Sequence, residues 1–380
     1  MIELDIADFV RDYWQKKPCL IRNAIAGFES PISPEELAGL ACEPDVHCRL
    51  VSETGDEPPW TLRYGPFEEQ DFLSLPESHY TLLVSECEKW IPELEGLMDL
   101  FRFIPDWRVD DLMISYAAPG GSVGPHVDQY DVFLLQGLGT RRWQYGESPM
   151  TDARLIPGLD LAILQDFDPD QDEVLYPGDM LYLPPGHAHH GVALEPCMTY
   201  SIGFRAPTAT SVLESLALET DRLGDQDKRY SDPDLSLDRH PAEITEFEIE
   251  KFHELTTQLL QSSPRLWRDA VGKMLSDSSV TTPDDASQQP ILLSDLQSCS
   301  WVRHPETRLF FHRSSDTLAV FFNGQVRELA NKPAQIELLK TLCNQREWSI
   351  GLIQQAIQEE ELQSLLLELA TSNAILPLKE

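Results

Sequence analysis

Apolar positions along the chain recur with two periods, and the switches between them mark out the elements. A stripe at Ile6, Phe9, Val10, Tyr13 and Trp14 predicts a helix over 5–15, closed by Lys16, Lys17 and Pro18, with a strand starting at Cys19. Pro34 to Leu40 reads as a short helix, with Ser33 as N-cap and Glu36 three residues on, the spacing of a capping box. Strands are expected over 47–52, 60–64 and 79–84, and a helix over 90–102. In 110–116 (DDLMISY) a period of two puts Leu112, Ile114 and Tyr116 on one face and Asp111, Met113 and Ser115 on the other. A half-exposed edge strand would alternate in the same way. A face that runs carboxylate, thioether, hydroxyl is odd for a core and natural for a pocket wall.

Further on, 209–223 is an amphipathic helix with Val212, Leu213, Leu216 and Leu223 on its apolar face. Helices over about 243–262 and 264–275 follow, the second with Pro264 in its first turn. The polar run 276–290 (SDSSVTTPDDASQQP) reads as a linker. Segments 308–313 and 318–329 form a hairpin whose second strand turns at Asn323-Gly324, and helices are expected over 333–345, 348–357 and 359–372.

Composition narrows the class. Apolar content of 42% with 24% charged residues is that of a soluble globular chain, and 380 residues suffice for two or three domains. A net charge of −35 (64 acidic against 29 basic) argues against binding bare nucleic acid; it would attract a basic protein or peptide, and solubility alone explains it equally well. Seven cysteines without a C-x-x-C pair point to reduced thiols. The first residues, MIELDIADFVRDYW, show no signal peptide, and no stretch has the roughly 20 apolar residues of a membrane span. A cytoplasmic location is expected.

The chemistry concentrates in two segments. Gly120, His126 and Asp128 give G-x5-H-x-D, and Gly178, Pro184, Gly186 and His189 give G-x5-P-x-G-x2-H. A lone H-x-D is common by chance; the two spacings together resemble the paired motifs of the cupin barrel, where two hairpins bring their ligands to one mouth. Among His187, His189 and His190 the motif spacing selects His189, which leaves His187 and His190 as supporting or pocket-rim residues. Two imidazoles and a carboxylate on one face leave adjacent positions open on an octahedral metal, which suits Fe(II) in an oxygenase better than structural zinc. A 2-oxoglutarate co-substrate would need a cation for its far carboxylate. Arg141 and Arg142 stand one hairpin strand after Asp128, and only one of the two can point inward. Ser115 can donate a further hydrogen bond.

The words YWQKKP (13–18), DDLMISY (110–116), GPHVDQYDVF (124–133), TRRW (140–143), YSIGFRAP (200–207) and KRYSDPDLSL (228–237) resemble those of the JmjC-type ribosomal oxygenases. The likeness is to the branch that hydroxylates an arginine of a large-subunit ribosomal protein. The resemblance implies an α+β chain in three parts: a JmjC/cupin double-stranded β-helix (jelly-roll) catalytic domain over 1–208, a helical linker and dimerisation segment over 209–276, and a winged-helix-like domain over 277–380. It implies Fe(II) on His126, Asp128 and His189, with 2-oxoglutarate and O₂ as co-substrates. It puts 2-oxoglutarate on Ser115 and Arg141, and the target arginine among Asp111, Met113 and Tyr130. Asp111 could pair with a guanidinium, and Tyr130 and Met113 could sandwich its flat face and stem. On a continuing strand Tyr130 would share the ligand face. A homodimer acting on a basic ribosomal protein is expected, with no nucleic acid or membrane bound directly. The acidic winged helix reads as a protein-contact module. Three other readings compete: histidine hydroxylation, lysine demethylation, and a metal-binding cupin scaffold without activity.

Overall fold

The period-two segments of the first half become strands, and the sheet they build explains why so many are apolar on both faces. The computed structural model describes residues 2–53, 55, 59–220, 228–233, 240, 242–262, 264–278, 280 and 291–378. It divides into two units, Met1–Ala206 and Pro207–Glu380. The first unit runs α1 (Ile6–Asp12), β1 (Cys19–Ile21), α2 (Pro34–Leu40), β2 (Cys48–Glu53), β3 (Trp60–Tyr64), α3 (Glu69–Leu73), β4 (Tyr80–Val84), α4 (Glu95–Asp99) and β5 (Val109–Ala117). It continues with β6 (His126–Val127), β7 (Asp131–Leu138), β8 (Arg141–Tyr145), β9 (Gln171–Leu175), β10 (Met180–Leu183), β11 (Ala188–Ala193) and β12 (Cys197–Phe204).

Eight of these strands form one sheet in the order β1-β10-β7-β12-β5-β4-β2-β3, and four form a second in the order β6-β11-β8-β9. The pairing is antiparallel throughout, as in a jelly roll. The large sheet is covered on both faces. Leu112, Ile114, Phe133, Leu135, Tyr182, Tyr200 and Phe204 point outward and pack with Phe9 of α1 and Leu37 of α2 into the main core. Val132, Leu134, Leu181 and Leu183 point inward and meet Trp143, Tyr145 and Leu175 of the small sheet. Alternation within β5 is therefore realised: Leu112 and Ile114 are fully buried, while Met113 and Ser115 face the barrel interior.

The capping box on α2 forms as expected, with Ser33 accepting from the Glu36 N–H and Glu36 accepting from the Ser33 N–H. The expected helix over 90–102 does not form as one piece. Pro92 opens a 3₁₀ turn, α4 holds only five residues, and irregular turns complete the segment. The apolar spacing of Leu94, Leu97 and Phe101 is used for burial all the same.

The second unit carries α5 (Ala209–Thr220), α6 (Glu246–Ser262), α7 (Pro264–Ser276), α8 (Leu293–Leu296), β13 (Trp301–Arg303), β14 (Leu309–Arg313), β15 (Thr317–Phe322), β16 (Gln325–Ala330), α9 (Pro333–Asn344), β17 (Glu347–Trp348), α10 (Ile350–Ala356), α11 (Glu360–Thr371) and β18 (Ile375–Pro377). The β15–β16 turn is at Asn323-Gly324, both at positive φ (45° and 69°), as a tight hairpin turn requires. Two three-stranded sheets and α8–α11 enclose a core around Trp348, Phe322 and Leu366. The end of the 209–223 helix, residues 234–237 of the KRYSDPDLSL word and most of the 276–290 linker lie outside the described residues. Among the described residues no helix is long and apolar enough to cross a membrane.

Candidate active site

Register brings the two motifs together. β11 pairs β6 with His189 opposite His126, so the imidazoles lie on one face, 4.2 Å apart between ring centres. Asp128 follows β6 and turns its carboxylate to both: Oδ2 is 3.8 Å from His126 Nε2 and 3.6 Å from His189 Nε2. One ligand atom from each of the three lies within 4.8 Å of the others, a spacing that a single metal ion can span. The backbone sets which nitrogens face the gap. His126 Nδ1 is 2.9 Å from the Gly124 carbonyl, and His189 Nδ1 is 3.0 Å from the His187 carbonyl. A carbonyl only accepts, so each Nδ1 carries a proton, and in the neutral ring Nε2 is the nitrogen left to present a lone pair to the gap. Gly124 reaches its carbonyl back with φ 79°, a conformation open to glycine. Burial, and then the neighbouring His126, pushes the His189 pKa well below its usual range, which favours the neutral form that metal ligation would require.

Behind the triad lies a cavity of about 280 Å³ lined by His126, Asp128, His189, Ser115, Arg141, Met113 and Tyr130, with Thr199, Trp143 and others. Arg141 is 2% exposed. Its Nη1 is 3.4 Å from both Ser115 Oγ and Thr199 Oγ1, its Nη2 donates to the Gly191 carbonyl at 3.2 Å, and its Nε is buried without a partner. The guanidinium also lies over Trp143, 4.9 Å from the ring centre. Among the described residues no carboxylate pairs with it, and burial pushes its pKa down. A buried cation with unused donors is an unfinished carboxylate site. Arg142, on the other face of β8, is exposed and paired with Asp172. Parity left these two arginines open; the barrel turns Arg141 inward.

Other residues differ from expectation. Tyr130 does line the cavity, but from a bend, because β6 stops at Val127. Loss of solvent, then Asp128 and Asp111, push its phenol up, although the residue is 38% exposed overall. Asp111 is on the Met113 and Ser115 face of β5 but does not line the cavity. It accepts from the Glu86 N–H at 3.4 Å, and burial followed by the Asp110 charge pushes it up to about 6. His187 and His190 do not line the cavity either. The ring of His187 is buried, with Nδ1 near the Pro184 and Pro185 carbonyls at 3.2 Å, and the residue supports His189 through its carbonyl. Arg49, Thr199 and the apolar run Leu161–Ala162–Ile163 also line the cavity and were not anticipated. Thr199 was within reach, since it alternates with Ser201 in the YSIGF strand.

A jelly roll whose mouth gathers two imidazoles and one carboxylate beside a buried, carboxylate-free arginine is the scaffold of a cupin-type oxygenase. Profiles of known families agree. Residues 96–212 match the JmjC domain, and residues 255–375 match the ROXA-like winged helix. The chain is 42% identical over 280 residues to the ribosomal protein uL16 3-hydroxylase of Escherichia coli, covering 73% of each chain. The crystal structure of Escherichia coli YcfD superposes with a TM-score of 0.85 at 36% identity over 99% of both chains. The same ribosomal oxygenase in complex with cobalt and 2-oxoglutarate superposes with a TM-score of 0.82 at 34% identity, again over 99% of both. The chain belongs to the JmjC-type ribosomal oxygenases.

Proposed function

We propose that this chain is a dioxygenase dependent on Fe(II) and 2-oxoglutarate that hydroxylates an arginine side chain, at carbon 3, of a basic large-subunit ribosomal protein. The observation that carries the reading is the buried Arg141, without a carboxylate partner among the described residues, in one cavity with His126, Asp128 and His189. The three donors fit a divalent cation of oxygenase type: two imidazole nitrogens and a carboxylate, with other positions left to co-substrates. When bound, the metal supplies activation of O₂ coupled to decarboxylation of 2-oxoglutarate. Arg141 would hold the far carboxylate of 2-oxoglutarate through its Nη atoms, and Ser115 would add a hydroxyl hydrogen bond. Trp143 stacks under the guanidinium and limits its swing. Val132 and Leu134 keep that end of the cavity dry, which strengthens the ionic contact.

At the outer end, Met113 and Tyr130 would flank the target side chain, and Asp111, outside the cavity lining but near enough to raise the Tyr130 phenol, would pair with its guanidinium. The acidic chain suits a basic partner. A cytoplasmic setting follows from a ribosomal substrate. We assign the three parts as 1–208 (catalysis), 209–276 (dimerisation) and 277–380 (protein contact, without direct binding of nucleic acid). Helix α6 supports the dimer: Phe247, Ile249 and Phe252 are each about half exposed. Phe247→Glu is expected to leave a monomer in size-exclusion chromatography with light scattering. An unchanged dimer mass counts against this face.

Asp111 tests the substrate assignment. Its carboxyl is raised from 3.8 to about 6 by burial, so the neutral form persists in the folded protein across that interval. Peptide KM should therefore fall as pH rises through about 6, when the carboxylate forms. Stability has the opposite slope: the folded state holds the extra proton, so this group's contribution declines as pH rises from about 4 to 6. In Asp111→Asn the peptide KM should be raised, and its dependence on pH near 6 lost. A variant that keeps the wild-type pH profile rules Asp111 out.

A further inference from the structure

Three of the words that carry the family likeness contain residues that line no part of the cavity, yet meet at one buried point. Asp131, the first residue of β7, is fully buried. It accepts from Arg108 Nη2 at 2.8 Å, from the Tyr182 hydroxyl at 2.6 Å and from Gln15 Nε2 at 2.9 Å. Gln15, held at φ 56° between Trp14 and Lys16, also donates its backbone N–H to the Tyr182 oxygen at 2.8 Å. Arg108 lies over Trp14, 5.4 Å from the ring centre, and Trp14 stacks on Tyr182. Arg108 Nε donates to the Arg205 carbonyl, the Arg205 N–H donates back to the Arg108 carbonyl, and Arg205 Nε reaches Asp110 at 2.7 Å.

A buried ion pair is seldom kept for stability, since apolar side chains of similar volume do as well or better. A network with its donors and acceptors satisfied does something else: it admits one geometry. Here the geometry concerns the outer end of the cavity. Asp131 directly follows Tyr130. Arg108 stands three residues before Asp111 at the foot of β5, and Arg205 is tied to Asp110, next to Asp111. The network thus runs from one flank of the assigned arginine pocket to the other, through the protein rather than across the cavity.

We propose that the Arg108–Asp131 ion pair, braced by Gln15, Tyr182 and Arg205, is a positioning device that sets Tyr130 against Asp111 and thereby the fit of the target side chain. This rests on the substrate pocket assigned above. These residues touch neither metal nor co-substrate; they act through Tyr130 and the start of β5. Misplacement by about 1 Å of a group that orients substrate is enough to cost on the order of 10²-fold in rate.

The test compares wild type with Arg108→Met/Asp131→Leu, which removes both charges together and leaves neither buried alone, and with the milder Tyr182→Phe. Affinity for Co(II) and 2-oxoglutarate, read from cobalt absorption, should stay at the wild-type value in both. Peptide kcat/KM should fall roughly 10- to 100-fold in the paired variant, mainly through KM, with more succinate formed per hydroxylated peptide. Tyr182→Phe should shift the same way by less. Independently of any substrate, 3-fluorotyrosine at position 130 should give one narrow ¹⁹F resonance in wild type and a broadened or split one in the variants. An unchanged resonance with unchanged peptide KM, whatever the melting temperature, overturns the inference. Wild-type protein that hydroxylates no arginine peptide would instead overturn the functional reading, and the fluorine spectrum would then decide the positioning role alone.

Discussion

His126→Ala should bind Co(II) or Fe(II) more than about 100-fold more weakly than wild type and consume 2-oxoglutarate only at background, because loss of a partner that merely orients a ligand already costs 10- to 100-fold. The substitution leaves Asp128 and His189 with two of the three donors that now converge within 4.8 Å. Little else should change. His126 is partly exposed, and its ring donates from Nδ1 to the Gly124 carbonyl at a glycine turn. Thermal unfolding without metal should therefore stay near the wild-type midpoint. Wild-type metal affinity in this variant would remove His126 from the ligand set.

Arg141→Met is expected to move stability and activity in opposite directions. In the protein without 2-oxoglutarate, Arg141 is buried with an unsatisfied Nε and no carboxylate partner among the described residues. Methionine keeps an unbranched apolar stem in place of the arginine's and gives up the guanidinium contact on Trp143, while the desolvation penalty disappears. Urea unfolding of this form should then be unchanged or more stable, by up to about 4 kcal/mol. Binding of 2-oxoglutarate loses its ionic partner and should weaken by about 2–5 kcal/mol, which is roughly 30- to several-thousand-fold in affinity. A structural arginine would give the reverse pattern, a less stable protein with normal 2-oxoglutarate affinity. That outcome would separate Arg141 from the co-substrate.

How much of this could be read from the sequence follows from the range of each interaction. The alternation in 110–116 is local, and it correctly separates Leu112 and Ile114 in the core from Met113 and Ser115 at the cavity. The capping box at Ser33 and the Asn323-Gly324 turn are equally local, and both form. The convergence of His126, Asp128 and His189 was legible because each half lies on its own hairpin with fixed motif spacing, so only the pairing of β6 with β11 had to be assumed. Segment 90–102 failed for a tertiary reason: its helical spacing of apolar residues is satisfied by turns that bury Leu94, Leu97 and Phe101 without a continuous helix. The cavity contributions of Arg49 and Thr199 depend on strand order, since β2 and β12 reach the β5 neighbourhood through pairings distant in sequence. Tyr130 was placed on the right side for the wrong reason, a bend instead of a strand.

The most direct test of the account is mass spectrometry of an arginine-bearing ribosomal peptide incubated with the protein, Fe(II), 2-oxoglutarate and ascorbate, beside matched peptides with lysine or histidine at the target position. A gain of one oxygen, about 16 Da, is expected on the arginine peptide alone, with succinate formed in step, as an oxygenase of this metal class inserts one atom of O₂. Oxidation of the lysine or histidine peptide in its place, or no product while 2-oxoglutarate is consumed, would contradict the arginine assignment. Absence of both product and 2-oxoglutarate turnover would contradict the oxygenase itself.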